Sequence, residues 1–154
     1  ASDVYKRQAQ LGLAASIQPQ HAMDDRDVIA RFWGTPAGIP YAFNSLHKAG
    51  TKLLMGSDAP VAPLDPWMAI SAAVFGTESS DREPFQPEQC LDFETALASS
   101  TAVGRVALRD ADAADLVLLD CDPSIIDSPE AMRAMPEHVL GTMLAGRWTY
   151  QQAE

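Results

Sequence analysis

The sequence predicts an α/β protein built on a parallel sheet, followed by a small β module at the C-terminal end. Two observations carry that expectation. Up to about Arg109, short apolar runs and amphipathic stretches alternate in the order strand, helix, strand, helix. Beyond Arg109, strand-like runs follow one another with turn residues between them and no helical pattern.

The chain opens on ASDVYKRQ, a polar octet with neither helical nor strand periodicity. Asp3–Gln8 resembles the translation of a transposon end used to prepare sequencing libraries, so residues 1–8 are expected to be an adapter-derived or disordered tail outside the fold. Leu11–Gln20 is apolar and small, which predicts a buried strand over Ala14–Gln18; Pro19, unable to donate to a ladder, closes it. Asp24–Trp33 reads as a helix, with acids in its first turn, Val28, Ile29, Phe32 and Trp33 at helical spacing, and Gly34 as a stop. Thr35–Pro40 is a loop, Tyr41–Ala49 a short helix ended by Gly50, and Lys52–Met55 a second strand cut off by the turn Gly56-Ser57-Asp58-Ala59-Pro60.

Asp65-Pro66 joins a capping residue to a proline at the first helical position, which starts a tightly packing helix through Phe75. Gly76–Gln89 is a polar connection able to cover a pocket. Asp92 then caps a long helix expected over Phe93–Leu108. In the C-terminal part, Asp115–Asp120 (DLVLLD) is an apolar strand and Asp122-Pro123 turns the chain away. Val139–Leu144 and Arg147–Gln151 flank Ala145-Gly146 as a β-hairpin. Trp33, Trp67 and Phe75 are expected in the core.

Composition limits the functions available. At 154 residues, 47% hydrophobic and 21% charged, the chain suits one globular domain rather than disorder. With 11 basic against 21 acidic residues it carries a formal charge of −10 and has no basic cluster, which excludes a nucleic-acid partner. No apolar run approaches the roughly 18–20 residues a membrane helix requires. Cys90 and Cys121 are far apart and lack CxxC spacing, and the opening residues carry no secretory apolar region, so a cytoplasmic setting is expected.

The chemistry-bearing residues cluster in two motifs. Ser16-Ile17-Gln18-Pro19-Gln20-His21 ends the first strand, and Leu54-Met55-Gly56-Ser57-Asp58-Ala59-Pro60-Val61 ends the second, with Leu64-Asp65-Pro66 following it. In parallel α/β barrels, polar side chains at the C-terminal ends of strands point into the active-site mouth. Taken by itself, Asp58 reads first as a solvated turn aspartate, and His21 either projects into a pocket or lies exposed past Pro19.

From about Leu11 to Tyr150 the sequence resembles the amidohydrolase 3 group of the metal-dependent amidohydrolase superfamily. The QPxH strand resembles the seventh barrel strand and GSDxPV the eighth. Thr101, ADLVLLD (Ala114–Asp120) and the residues Val139, Thr142, Gly146, Arg147 and Tyr150 resemble the family's tail. The resemblance implies that residues 9–108 are the C-terminal part of a TIM-like (β/α)8 metal-dependent hydrolase barrel. Residues 109–154 would be strands of a composite β-sandwich subdomain, built jointly with the family's N-terminal segment. It implies Asp58 as general base and metal neighbour, Gln18 and His21 as substrate-binding residues, a divalent metal (zinc) as cofactor, and a small amide or imide as substrate. An ionised carboxylate beside a divalent cation is suited to accepting a proton from water the cation has acidified.

The remaining candidates have ordinary readings. His47 and His138 are expected to be structural or exposed. Asp110, Asp112 and Asp115 lack the glycine and terminal glutamate of an EF-hand and read as a solvated turn. Cys121 has no nearby basic group to make it nucleophilic.

The three histidines show neither His-x-His nor HExxH spacing, whereas the family's metal site also needs a first-strand His-x-His pair and histidines from middle strands. The expectation is therefore an active parent and an inactive fragment. Two barrel strands without their neighbours would also be poorly stable or prone to aggregate. The alternatives are a non-enzymatic binding module, in which GSDAP is only a turn, and a family member without metal or activity.

Overall fold

The computed structural model describes residues 2–34, 38–102 and 104–153. Helix α1 (Ser2–Gln10) comes first, where a non-periodic tail was expected. It ends in a six-residue hydrogen-bonded cap: Leu13 N–H donates to Gln8 O and Gly12 N–H to Ala9 O, at 3.1 and 3.0 Å.

Strands β1 (Ala14–Ile17) and β2 (Lys52–Met55) form a parallel two-stranded sheet in which Ala14 pairs with Lys52 and Ile17 with Met55. Between them run α2 (Pro19–Phe32) and α3 (Phe43–Lys48). Helix α2 begins five residues before the acids that were expected to open it. Pro19 ends the strand and also serves as the first helical residue, where its missing N–H costs nothing. Of the predicted loop Thr35–Pro40, residues 35–37 lie outside the described residues; the short helix and second strand fall where expected.

Helix α4 (Pro66–Phe75) starts as the sequence requires, with Asp65 accepting a hydrogen bond from Trp67 N at 2.9 Å. Helix α5 (Phe93–Ser100) is capped by Asp92, which accepts from Thr95 N at 2.7 Å and from the Thr95 hydroxyl at 2.8 Å. These bonds to the ionised form hold the Asp92 carboxyl below its ordinary range. The helix stops eight residues short of the expected Leu108. The hydroxyls of Ser99, Ser100 and Thr101 turn back onto the carbonyls of Thr95, Ala96 and Ala98, and Thr101 is already extended. Val103, within the predicted helix, lies outside the described residues.

Past Arg109 the chain is not purely β. Strand β3 (Leu116–Leu119) is separated from β4 (Val139–Leu144) and β5 (Arg147–Gln151) by α6 (Pro129–Arg133) and short 3-10 turns on either side of it. Ser128 caps α6 by accepting from Ala131 N at 3.3 Å, with Pro129 following it. The three strands form an antiparallel meander with bulges at Leu118/Leu119 and Thr142/Met143. Ala145 and Gly146 both have positive φ, 49° and 76°, as a two-residue hairpin turn demands. A Cβ on Gly141 would stand 2.7 Å from the Trp148 ring, so glycine lets that indole lie across β4.

Asp112 and Asp115 are also not merely solvated. Asp112 holds the Arg105 guanidinium through both oxygens and accepts from Arg109 N, which keeps its carboxyl low, while Asp115 accepts from Ala145 N at 2.7 Å.

The core lies between the parallel pair and the helices. Ile17, Leu53, Trp67 and Ile70 pack with Met132 and Met135, the last two contributed by α6 and the turn after it. Phe75 packs against this cluster, but Trp33 is 61% exposed. Helix α2 buries Ala22, Met23 and Ile29 instead, turning Phe32 and Trp33 outward. No helix among the described residues is long and apolar enough to cross a membrane.

The 76–89 connection is tied down by charge. Arg26 donates to Glu83 O at 2.7 Å, Arg82 pairs with Asp27, and Glu130 accepts from both the backbone N–H and the hydroxyl of Ser80 at 2.6 and 2.7 Å. Those bonds lower the Glu130 pKa from 4.5 to about 2. A depressed carboxyl contributes stability above its unfolded value and loses it as pH falls through the folded one. The stability advantage of the protein over Glu130→Gln should therefore be constant above about pH 5 and fade toward pH 2. Urea unfolding of both proteins across that range, with an NMR titration of the Glu130 carboxyl, measures it; an advantage independent of pH would contradict the assignment.

Candidate active site

Parallel pairing brings the two motifs together. Because Ile17 is level with Met55, both strands end at the same height, and Gly56 N–H extends the ladder to Ile17 O at 3.0 Å. The chain leaving β1 turns into α2, placing His21 in its first turn. The chain leaving β2 passes through Asp58, whose φ of 59° reverses its direction there. Aspartate tolerates this left-handed backbone better than most residues.

The result is a contact across 37 residues of sequence: His21 Nε2 lies 3.3 Å from Asp58 Oδ2. The other ring nitrogen, Nδ1, faces Asp24 Oδ2 at 3.7 Å, one helical turn further on. The imidazole is largely covered, with 22% of the side chain exposed, whereas the Asp58 carboxylate is 59% exposed and open to solvent. Gln18 does not join them. Its amide donates to Ser16 Oγ at 3.0 Å, beside its own strand.

Behind this pair lies a network that the sequence reading missed. Buried Gln20 donates from Nε2 to Asp24 Oδ1 at 3.2 Å and to Glu78 Oε1 at 2.9 Å, and accepts on Oε1 from Arg133 at 3.3 Å. Arg133 also faces Glu78 at 3.6 Å. Asp24 thus touches both His21 and Gln20, linking the strand-end pair to α6. The available signal was the three-residue spacing of His21 and Asp24, legible only once α2 is known to begin at Pro19.

Two open grooves among the described residues lie elsewhere. One of about 860 Å³ lies at the opposite, N-terminal end of β2, lined by His47, Gly50, Thr51 and Asp92 among others. Another of about 400 Å³ runs between α4, α5 and β3. Neither contains Gln18, His21 or Asp58. A carboxylate and an imidazole within 3.3 Å at a strand end are donors that a divalent cation accepts. Their chemistry fits such an ion, and as two donors they supply part of a coordination shell.

Cys121 lies past the end of β3, on the other sheet. Partial desolvation and the Asp120 carboxylate raise its thiol pKa, the opposite of what a nucleophile needs.

Comparison with known proteins gives a consistent picture. A family model described as amidohydrolase family matches residues 2–150. The chain is 30% identical over 155 residues to Protein LONG AFTER FAR-RED 3 of Arabidopsis thaliana, covering 94% of this chain and 26% of that protein. It is 24% identical over 164 residues to YtcJ of Bacillus subtilis (strain 168), whose name carries the word amidohydrolase; this covers 99% of the chain and 30% of YtcJ. The crystal structure of an uncharacterized metal-dependent hydrolase from Pyrococcus horikoshii OT3 superposes with a TM-score of 0.55 at 27% identity, covering 68% of this chain and 22% of that one. The chain therefore spans between about a fifth and a third of the length of each of these proteins.

Proposed function

Since the chain belongs to the amidohydrolase family, we propose that it is the C-terminal part of a metal-dependent hydrolase that opens amide or imide C–N bonds, with Asp58 as general base. Residues 9–108 supply the last strands and helices of a (β/α)8 barrel, and residues 109–154 supply strands of a composite sandwich. The observation that carries this reading is the meeting of His21 and Asp58 at the C-terminal ends of two adjacent parallel strands. The exposed apolar side chains support it too: Phe32 and Trp33 on α2, and Val117, Leu118, Trp148 and Tyr150 on the meander, are positioned for partners outside this chain.

Asp58 is the residue on this chain that would hold the metal, zinc in this reading, with His21 beside it. When bound, a divalent metal acidifies water and polarises the amide carbonyl. The protein's own part is proton handling. His21 Nε2–H donates to Asp58 Oδ2, which leaves Oδ1 to receive a proton from the attacking water. The same carboxyl then returns that proton to the departing nitrogen. Asp24 lies on the other side of the ring, its Oδ2 3.7 Å from Nδ1. Gln18 and His21 border the substrate, a small molecule in a cytoplasmic enzyme.

The test uses the full-length protein that carries this segment, assayed on a panel of N-acyl amino acids, cyclic imides and simple amides. Hydrolysis of at least one class should fall by 100-fold or more on chelation, on the order expected for loss of a catalytic metal, and return when a divalent ion is added. The 154-residue chain alone should hydrolyse none of them. Activity that survives exhaustive chelation, or none on any C–N substrate, would overturn the proposal.

A further inference from the structure

Asp120, Cys121 and His138 form a second group of metal-ligating side chains, at the junction of β3 and β4 and apart from the strand ends that carry Asp58. One ligand atom from each lies within 4.8 Å of the other two. The backbone builds this convergence. The bulge at Leu118/Leu119 re-aims the end of β3, and Asp120 N–H donates to His138 O at 3.1 Å, pinning the two segments side by side. His138 Nδ1 already faces Asp120 Oδ1 at 2.8 Å. Cys121 Sγ rests 3.7 Å from the thioether of fully buried Met135, which fixes the sulfur from behind.

We propose that this triad binds a zinc ion that clamps β3 to β4. Thiolate, imidazole and carboxylate are the three ligand types zinc prefers, and three protein ligands leave the fourth tetrahedral position to water. Zinc bonds of about 2.0–2.3 Å put ligand atoms roughly 3.3–3.8 Å apart, so closing the triad takes side-chain adjustments on the order of 1 Å. Asp120 and His138 are about half exposed, giving the ion a path in, while Asp122 and the chain's charge of −10 favour a cation. Loading replaces the thiol proton of Cys121 with a sulfur–zinc bond and releases it to solvent, while the proton that His138 Nδ1 shares with Asp120 gives way to the metal and the ring keeps a proton on Nε2.

The full-length protein that carries this segment, stripped of metal and titrated with Co²⁺ as a spectroscopic stand-in, tests the site, because a thiolate band distinguishes it from a site without sulfur ligands. One equivalent should bind with a thiolate-to-cobalt charge-transfer band in the near ultraviolet, and Zn²⁺ should displace it. Cys121→Ser should abolish the band, His138→Gln should weaken binding about 10-fold or more, and Cys90→Ser should leave the band in place. Zinc should also raise the unfolding midpoint of the full-length protein by more than it raises that of Cys121→Ser. Circular dichroism of each variant separates lost ligands from lost fold. A chain that gives no band, or a band that survives Cys121→Ser or vanishes with Cys90→Ser, overturns the proposal.

Discussion

Replacing Asp58 by asparagine in the full-length protein is expected to lower kcat by about 10²–10⁴-fold, the range associated with losing a positioned general base. The change is nearly isosteric, and asparagine accepts the positive φ of this position, so the thermal midpoint should move little. What disappears is the ability to take a proton at Oδ1, while a hydrogen bond from His21 to the side-chain oxygen survives. Asp58→Gly offers a complementary readout. Glycine also tolerates the left-handed backbone, and added formate, filling the vacated space as an external carboxylate, should restore part of the rate. Full turnover in Asp58→Asn would remove this residue from the proton path.

The second large effect concerns stability. Ile70, at 1% exposure in the middle of α4, is packed in the same core as Trp67, Met132 and Met135. Truncating it to alanine should cost about 2–5 kcal/mol, from lost burial and the cavity left behind. Against a typical total of about 5–15 kcal/mol, that is enough to lower the urea midpoint of the full-length protein that carries this segment by about a third or to drive it into the insoluble fraction. Phe32→Ser is the contrast. Its ring is 68% exposed, and the same measurement should show a change within about 0.5 kcal/mol. If the two variants behaved alike, the core would be misassigned.

Local chemistry was legible in the sequence wherever one or two adjacent residues decide the outcome. Asp65-Pro66 and Asp92 announce their helices, Ala145-Gly146 announces the hairpin, and the apolar runs at Lys52–Met55 and Val139–Leu144 are strands with the expected limits. The errors arose where one residue serves two elements or where a weak signal repeats. Pro19 closes β1 and opens α2, and reading only the first role hid the helical register that aligns His21 with Asp24. Ser128-Pro129 is the same kind of start signal as Asp65-Pro66 but precedes only five helical residues, too few for periodicity to show. The run of Ser99, Ser100 and Thr101 ended α5 through hydroxyl bonds that an apolar pattern does not register.

At the site, Asp58 and His21 were nameable because each follows a strand; their contact depends on strand register, a property of two segments together. Glu78 and Arg133, the partners of Gln20, were invisible for the same reason, lying 58 and 113 residues from it in the chain.

The left-handed backbone at Asp58 also bears on how such a protein can change over generations. Aspartate and asparagine codons differ by a single base, and both side chains accept a φ of 59°. One transition therefore takes this position from a proton acceptor to a neutral amide without disturbing the turn. Most other replacements would have to overcome the conformation first. Under the proposed general-base role of Asp58, loss of catalysis with retention of shape lies one mutational step away, so relatives that keep the scaffold for another purpose should carry asparagine at this position more often than any other residue.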